Sequence, residues 1–293
     1  MTTLLNKHAQ GIDEVRALEA ALASTRPAPG TSEAVSTEFL ERLQADAGRR
    51  RKQFKHDADL WRPVADQLLY VPGLQEAASP MKDDQRRRIE TRRVSSPPAY
   101  TALPTTVWRF GPDHDFVSKA PPYDGGFTSG SGAAVNAAQG TFSLDVQAFG
   151  SSDSCSLSLG SWFFTPEDDP ALRLSTSIQF SRDWHQQAMG YVAHSRFSTK
   201  LLIWDDTAKI ALPDAPVAPG WDNGVSWFEK HGDHTENESI NSDTHFPATA
   251  GHWYFCQVGF SASVDADSGI FGVADSTIHV TGFVSSLMTG SWF

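Results

Sequence analysis

The stretch from Glu229 to His245, EKHGDHTENESINSDTH, concentrates three histidines and five carboxylates in seventeen residues. Imidazole and carboxylate together suit a zinc-like divalent ion, so His231, Asp233, His234 and His245 are the candidate metal ligands. Their spacing follows no established zinc signature, and the competing reading is a polar surface loop between strands. Glu236 and Glu238, two apart, would share one face of an extended segment. Two such acids cleave a glycoside when held about 5 Å or about 6.5–9.5 Å apart across a cleft. A glycan-acting hydrolase is therefore one alternative.

Tryptophan offers a different chemistry. Trp221 lies in PGWDNG, a turn sequence, next to Asp222 and Asn223. A flat indole beside short hydrogen-bonding side chains can stack on a sugar ring while bonding its hydroxyls. Trp184, flanked by Asp183 and His185, is a second candidate. Trp221, Asp222, Asn223 and Trp184 are thus the expected ligand-binding residues, with a glycan as ligand; the competing reading folds Trp221 back onto the core.

Other motifs are weaker. Asp113, His114 and Asp115 in RFGPDHDF, and DADSG at 265–269, read as turns held by Asp side chains, or else as calcium ligands without a complete EF-hand loop. GGFTSGSGAAVNAAQG, residues 125–140, lacks the Gly-Lys-Ser/Thr of a phosphate loop and precedes a strand, so nucleotide binding fails and a flexible loop is expected. No cofactor is expected beyond a divalent metal at the histidine cluster.

The elements that must position these groups change character near residue 95. Residues 1–95 carry 16 Lys/Arg against 14 Asp/Glu and one Trp; residues 96–293 carry 8 against 21 and the other eight Trp. The net charge of −11 therefore belongs to the second part, which argues against nucleic acid as the main ligand, because phosphate binding needs a basic face. Arg49, Arg50, Arg51, Lys52 and Lys55, and the run Arg86–Arg88, are local exceptions that read as solvated helix faces.

The first part shows helical spacing. Leu5, His8, Ile12, Val15 and Leu22 form one stripe, and Val35, Phe39, Leu40, Leu43 and Ala47 form a second after the break at TRPAPGT. Gly48 and Pro63 are expected to interrupt or kink the later helix, and a polar third helix spans about 74–93. In the second part, alternation at period two places Phe142, Leu144, Val146 and Ala148 on one face. Leu172, Leu174, Ile178 and Phe180, then Tyr254, Cys256, Val258 and Phe260, and then Ile278, Val280 and Val284, do likewise.

The fold class is α+β: residues 1–94 form a helical hairpin or short bundle, 95–106 a Pro-rich linker, and 107–293 an acidic antiparallel β-sandwich, jelly-roll-like. Its likeness to lectin-like and capsid-like jelly rolls is architectural only. Cys155 and Cys256 sit at inward positions, as buried free thiols or as a disulfide between strands. MTTLLNKHAQGIDEV turns polar too early for a cleavable signal peptide, which points to cytoplasmic synthesis, with release by a non-classical route left open. The helices are too sparsely apolar to make a rich core of their own, so they are expected to dock or to assemble a homo-oligomer. The leading reading is a non-enzymatic, oligomeric binding or structural protein. A toxin-like membrane-active protein is the second alternative.

Overall fold

From Thr141 onward, apolar residues at alternate positions leave the chain one dry side and one wet side, as a half-buried strand requires. In the computed structural model these runs form two antiparallel sheets packed face to face, preceded by one long helix, so the chain is α+β with a β-sandwich. The structure describes residues 26–68, 70–90, 106–109, 115–165, 168–189, 192–213, 215–218, 220–226, 229–267, 269 and 273–290. The first helical stripe, the linker, Asp113, His114, Trp227 and Trp292 lie outside the described residues.

The helices are α1 (Pro29–Leu68), α2 (Leu74–Ala77) and α3 (Ser79–Glu90). The strands, in chain order, are β1 (Thr106–Arg109), β2 (Asp115–Lys119), β3 (Gly125–Ser129), β4 (Ala133–Asn136), β5 (Thr141–Phe149), β6 (Ser152–Thr165) and β7 (Asp169–Met189). They continue with β8 (Val192–Asp205), β9 (Ile210–Ala211), β10 (Ala215–Pro216), β11 (Trp221–Ser226), β12 (Glu229–Ala248), β13 (His252–Ala266) and β14 (Val273–Gly290).

In the first sheet β14 pairs with β7 on one side and with β5 and β2 on the other, and β12 lies outside β7. In the second, β3, β6, β13 and β8 run side by side, and β9, β10 and β11 follow the far edge of β8. The expected inward residues, among them Phe142, Leu144, Ile178, Val258, Phe260 and Val280, fill a single apolar cluster between the sheets. Cys155 and Cys256 join it as free thiols, not as a disulfide, and burial pushes the Cys155 thiol up to about 12.

Three segments differ from expectation. The Gly/Ala-rich run 125–140 is no loop: β3 pairs with β6 in the second sheet and β4 with β5 in the first, so it carries the chain across the sandwich. Trp221, Asp222, Asn223 and Gly224 do not form a turn but belong to β11, paired to β8. The histidine-rich stretch is not a loop either; it is β12, a 20-residue strand antiparallel to β7. Its carboxylates, Pro247 and the register shift between His231 and His234 discourage further pairing on that edge.

Helix α1 runs unbroken for 40 residues through Gly48 and Pro63, contrary to the expected interruption. Its expected stripe is buried, with Val35, Phe39, Leu40 and Leu43 packed on Trp162, Leu202 and Phe255 of the second sheet's outer face. Burial of side chains this size contributes roughly 1.5–3 kcal/mol each, and with Phe54 and Ala58 also buried it offsets the cost of Gly48 between them. The floor beneath is narrow-cut: a Cβ on Gly259 would lie 2.3 Å from the Phe39 ring, and one on Gly160 would lie 2.6 Å from the Phe255 ring. Ser36 Oγ donates to Gln257 Oε1 at 3.0 Å, Gln44 Nε2 to Ser129 Oγ at 2.7 Å, and Lys200 Nζ to Asp46 Oδ2 at 2.8 Å. At the other end of the helical region, Ala78 with Leu74 and Met81 packs on Met189 and Val273. Among the described residues no helix is long and apolar enough to cross a membrane.

Gly259→Val should lower thermal stability by about 1–3 kcal/mol, because the added atoms have no space that Phe39 does not fill. Phe39→Ala should cost about 3–5 kcal/mol by the converse loss. Calorimetric unfolding of both checks the fit; a neutral Gly259→Val would mean α1 does not seat as described.

Candidate functional site

Two aromatic clusters occupy different parts of the sandwich, and the expected ligand residues fall in the first. On β7, even-numbered side chains face the interior, which places Arg182, Trp184 and Gln186 there; on β12, Glu236 and Glu238 stand opposite Arg182 and Phe180. Across the gap between the sheets, Trp221 of β11 meets Trp184 edge-on, ring centroids 5.0 Å apart. Arg182 lies 4.3 Å above the Trp221 ring, and one guanidinium nitrogen binds both Glu236 and Glu238. His234 stacks on Trp184 at 5.1 Å.

These contacts satisfy the cluster from within. The Arg182 side chain is 3% exposed, and one of its guanidinium nitrogens binds both carboxylates. Glycoside cleavage needs two acids on either side of a bond, and here the guanidinium fills the space between them. Trp184 is 6% exposed and Trp221 is half-buried against the core, the outcome of the packing reading for that residue.

Neighbouring residues on a strand point to opposite faces, so Asp222 does not accompany Trp221. It faces outward, accepting from Arg196 Nε at 3.0 Å and lying 3.2 Å from His194 Nδ1. Burial raises its carboxyl, but the His194 and Arg196 contacts outweigh that and hold it below the ordinary range. The Asn223 carbonyl accepts from Gln186 Nε2 at 2.8 Å.

The four candidate metal ligands are not gathered. His231 and His234 have ring centroids 6.2 Å apart, Asp233 is turned to Arg88 of α3 at 3.1 Å, and His245 stands opposite Arg173. Eleven residues of extended chain between His234 and His245 span on the order of 35 Å. Among the described residues no group of three or more His, Cys, Asp or Glu side chains is placed to hold a metal ion.

The second cluster lies on the outer face of the second sheet, beyond the N-terminal part of α1. Trp253 of β13 packs on Phe164 of β6 with centroids 5.3 Å apart, and Trp204 of β8 stands opposite Phe255, diagonal to Trp253. Trp204, Trp253 and Phe164 are all partly exposed. The turn after β8 forms a polar rim. Asp205 Oδ1 accepts from the amides of Thr207 and Ala208, and Asp206 Oδ1 accepts from Trp204 Nε1 at 3.2 Å and Lys209 Nζ at 2.7 Å. Thr207 Oγ1 accepts from the Trp253 amide, and His252 Nδ1 lies 2.8 Å from Asp205 Oδ2. Lys209 takes a left-handed backbone, φ 57°, which turns its side chain over this rim.

Strand parity contained the signal for this ledge. Tyr254, Cys256 and Val258 occupy the inward positions of β13, so Trp253 and Phe255 must point out; Ile203 faces in, so Trp204 points out. Aromatic residues out of phase with a core face are the mark that a search for turn-borne tryptophans overlooks.

No family model matches the chain, and no curated protein matches it. Among solved structures, a family 61 carbohydrate-binding module in complex with β-1,4-galactotriose is 14% identical, covering 57% of this chain and 88% of its own at a TM-score of 0.18. A family 28 carbohydrate-binding module specific for non-crystalline cellulose is 10% identical, covering 50% and 74% at 0.23. The enzymatically active domain of tailspike protein 4 of bacteriophage CBA120 is 11% identical, covering 59% and 19% at 0.17. Scores this low carry no weight for ligand or activity.

Arg182→Ala should destabilise the protein by about 1–3 kcal/mol, less than a fully buried ion pair because Glu236 and Glu238 remain partly open to water. Tryptophan emission should change at the same time, since the cation leaves the Trp221 ring. Chemical denaturation followed by fluorescence measures both; an unchanged midpoint would show that the clasp contributes nothing.

Proposed function

We propose that this chain is a non-enzymatic binding protein whose β-sandwich holds carbohydrate on the ledge of Phe164, Trp204 and Trp253. The observation that carries the reading is the pair of partly exposed indoles on one sheet face, rimmed by Asp206, Thr207 and Lys209. Indole faces accept the C–H side of a sugar ring, and carboxylate, hydroxyl and ammonium groups at its margin match sugar hydroxyls. The ledge is already ordered by the Asp205 turn and by ring packing, so a ligand would meet a preformed surface with little ordering cost. In favour of binding over hydrolysis, the acids nearest one another in the other cluster are both engaged by Arg182.

Self-association belongs to the same proposal. Leu60, Val64, Tyr70 and Val71 leave an apolar knuckle where α1 ends, Tyr70 being 86% exposed.

A panel of immobilised glycans should retain the wild-type chain, and Trp253→Ala or Trp204→Ala should weaken the best ligand by about tenfold or more, near 1.4 kcal/mol. Trp221→Ala, which removes a packing residue away from the ledge, should leave affinity within about twofold once folding is matched. Affinity lost on Trp221→Ala but kept on Trp253→Ala would move the site to the other cluster, and no retention of the wild type would sink the proposal. Sedimentation equilibrium should give a mass above one chain that falls to one chain in Leu60→Glu/Tyr70→Glu; a wild-type monomer across concentrations would remove self-association.

A further inference from the structure

Helix α3 is held to the sandwich by little apolar surface: none of its own residues is buried, and its junction uses Ala78, Leu74 and Met81 against Met189 and Val273. Most of the contact is polar. Odd-numbered side chains of β7 face outward here, bringing His185 and Gln187 under α3, beside Asp275 of β14. The His185 side chain is 1% exposed and that of Asp275 0%.

Charged groups from every adjoining element face this imidazole. Asp84 and Arg88 come from α3, Lys230 and Asp233 from β12, and Asp275 from β14. His185 Nε2 lies 3.5 Å from Asp275 Oδ1 and 4.0 Å from Asp84 Oδ2, and Nδ1 lies 3.5 Å from Asp233 Oδ1. Yet neither ring nitrogen, nor Asp275 Oδ1, makes a hydrogen bond. Asp84 is taken by Lys230 at 2.9 Å, and Asp233 by Arg88 at 3.1 Å. Two acids and two bases therefore cancel around the pair, and no net field demands that His185 and Asp275 be ionised. Asp275 Oδ2 accepts from Gln187 Nε2, which also reaches the Met81 carbonyl at 3.2 Å and so ties the pair to the helical junction.

We propose that His185 and Asp275 are buried beneath α3 as a neutral pair, and that docking of α3 transfers one proton from the imidazolium to the carboxylate. Between the ordinary ranges of the carboxyl and the imidazole, where the undocked pair is ionised, the Nε2–H bond of His185 breaks and an O–H bond forms on Asp275, so that no proton enters or leaves. The neutral pair is what a low-dielectric site with balanced neighbours favours, because burying two charges costs more than their attraction returns.

The consequence is a junction insensitive to pH where either residue alone would make it sensitive. Burial pushes Asp275 from 3.8 up to about 7, so its contribution to docking is full at low pH and declines as pH rises through that interval. Burial, with Arg88 close by, pushes His185 from 6.5 down to about 4, so its contribution is full above 6.5 and declines as pH falls. From about 4 to 6.5 the two slopes are equal and opposite. Asp84 and Asp233 stay ionised across that window, because their contacts with Lys230 and Arg88 outweigh the raising effect of burial.

The test is amide hydrogen exchange of Ser79–Glu90 in the full chain from pH 4.5 to 6.5, corrected for intrinsic exchange. Wild-type protection should be flat. Asp275→Asn should make it rise with pH, up to about tenfold per unit, and His185→Gln should make it fall by the same factor. A wild-type slope as steep as either variant's overturns the proposal, as do flat profiles in both variants. Should a variant fail to dock, nitrogen chemical shifts of His185 in the wild type at pH 5.5 decide alone: a neutral ring is expected, and an imidazolium overturns it.

Discussion

The seating of Phe39 and Leu43 on Gly259 is the contact on which the arrangement of this protein depends. Glycine leaves the outer face of β13 bare at one point, and the Phe39 ring fills that point. A sheet normally presents a ridge of Cβ atoms that keeps a helix at a distance; here the missing Cβ lets α1 lie close along the strand. Gly160, beside Gln257 on β6, does the same for Phe255, so the floor under the helix is level. Without that close approach, Ser36, Gln44 and Asp46 would not reach Gln257, Ser129 and Lys200.

Ion pairs tie the helical region to the sandwich in both directions. Arg26 reaches Asp124, Arg51 approaches Asp265 at 3.6 Å, and Arg88 binds Asp233, each base from the helical region meeting an acid of the sandwich. Asp46 with Lys200 and Asp84 with Lys230 run the other way. The near-neutral helices and acidic strands are parts of one set of ion pairs. The same docking shapes the sheet surface, since α1 packs on the outer face of the second sheet around Phe255, and Trp204 and Trp253 at the margin of that contact are partly exposed.

Strand parity was the most legible feature. Every inward position read from alternation in β5, β13 and β14 lies in the core, because a pleated strand with one dry side has no other way to place those side chains. The buried stripe of α1 was legible for the same reason. Its continuity through Gly48 was not, because the local cost of glycine is visible in the chain while the packing that offsets it comes from residues remote in sequence. Likewise β12 reads as a loop by composition; its strand is imposed by backbone pairing to β7, which needs few apolar residues.

By itself, the sequence determined the fold class and the inward faces, since each follows from periodicity within a short window. Tertiary structure alone decided which polar groups meet. It turned Trp221 inward and Asp222 outward, set Arg182 between Glu236 and Glu238, and kept His245 far from His231 and His234. Chemistry depends on distances between residues remote in the chain, and those distances exist only once sheet register and helix docking have fixed them.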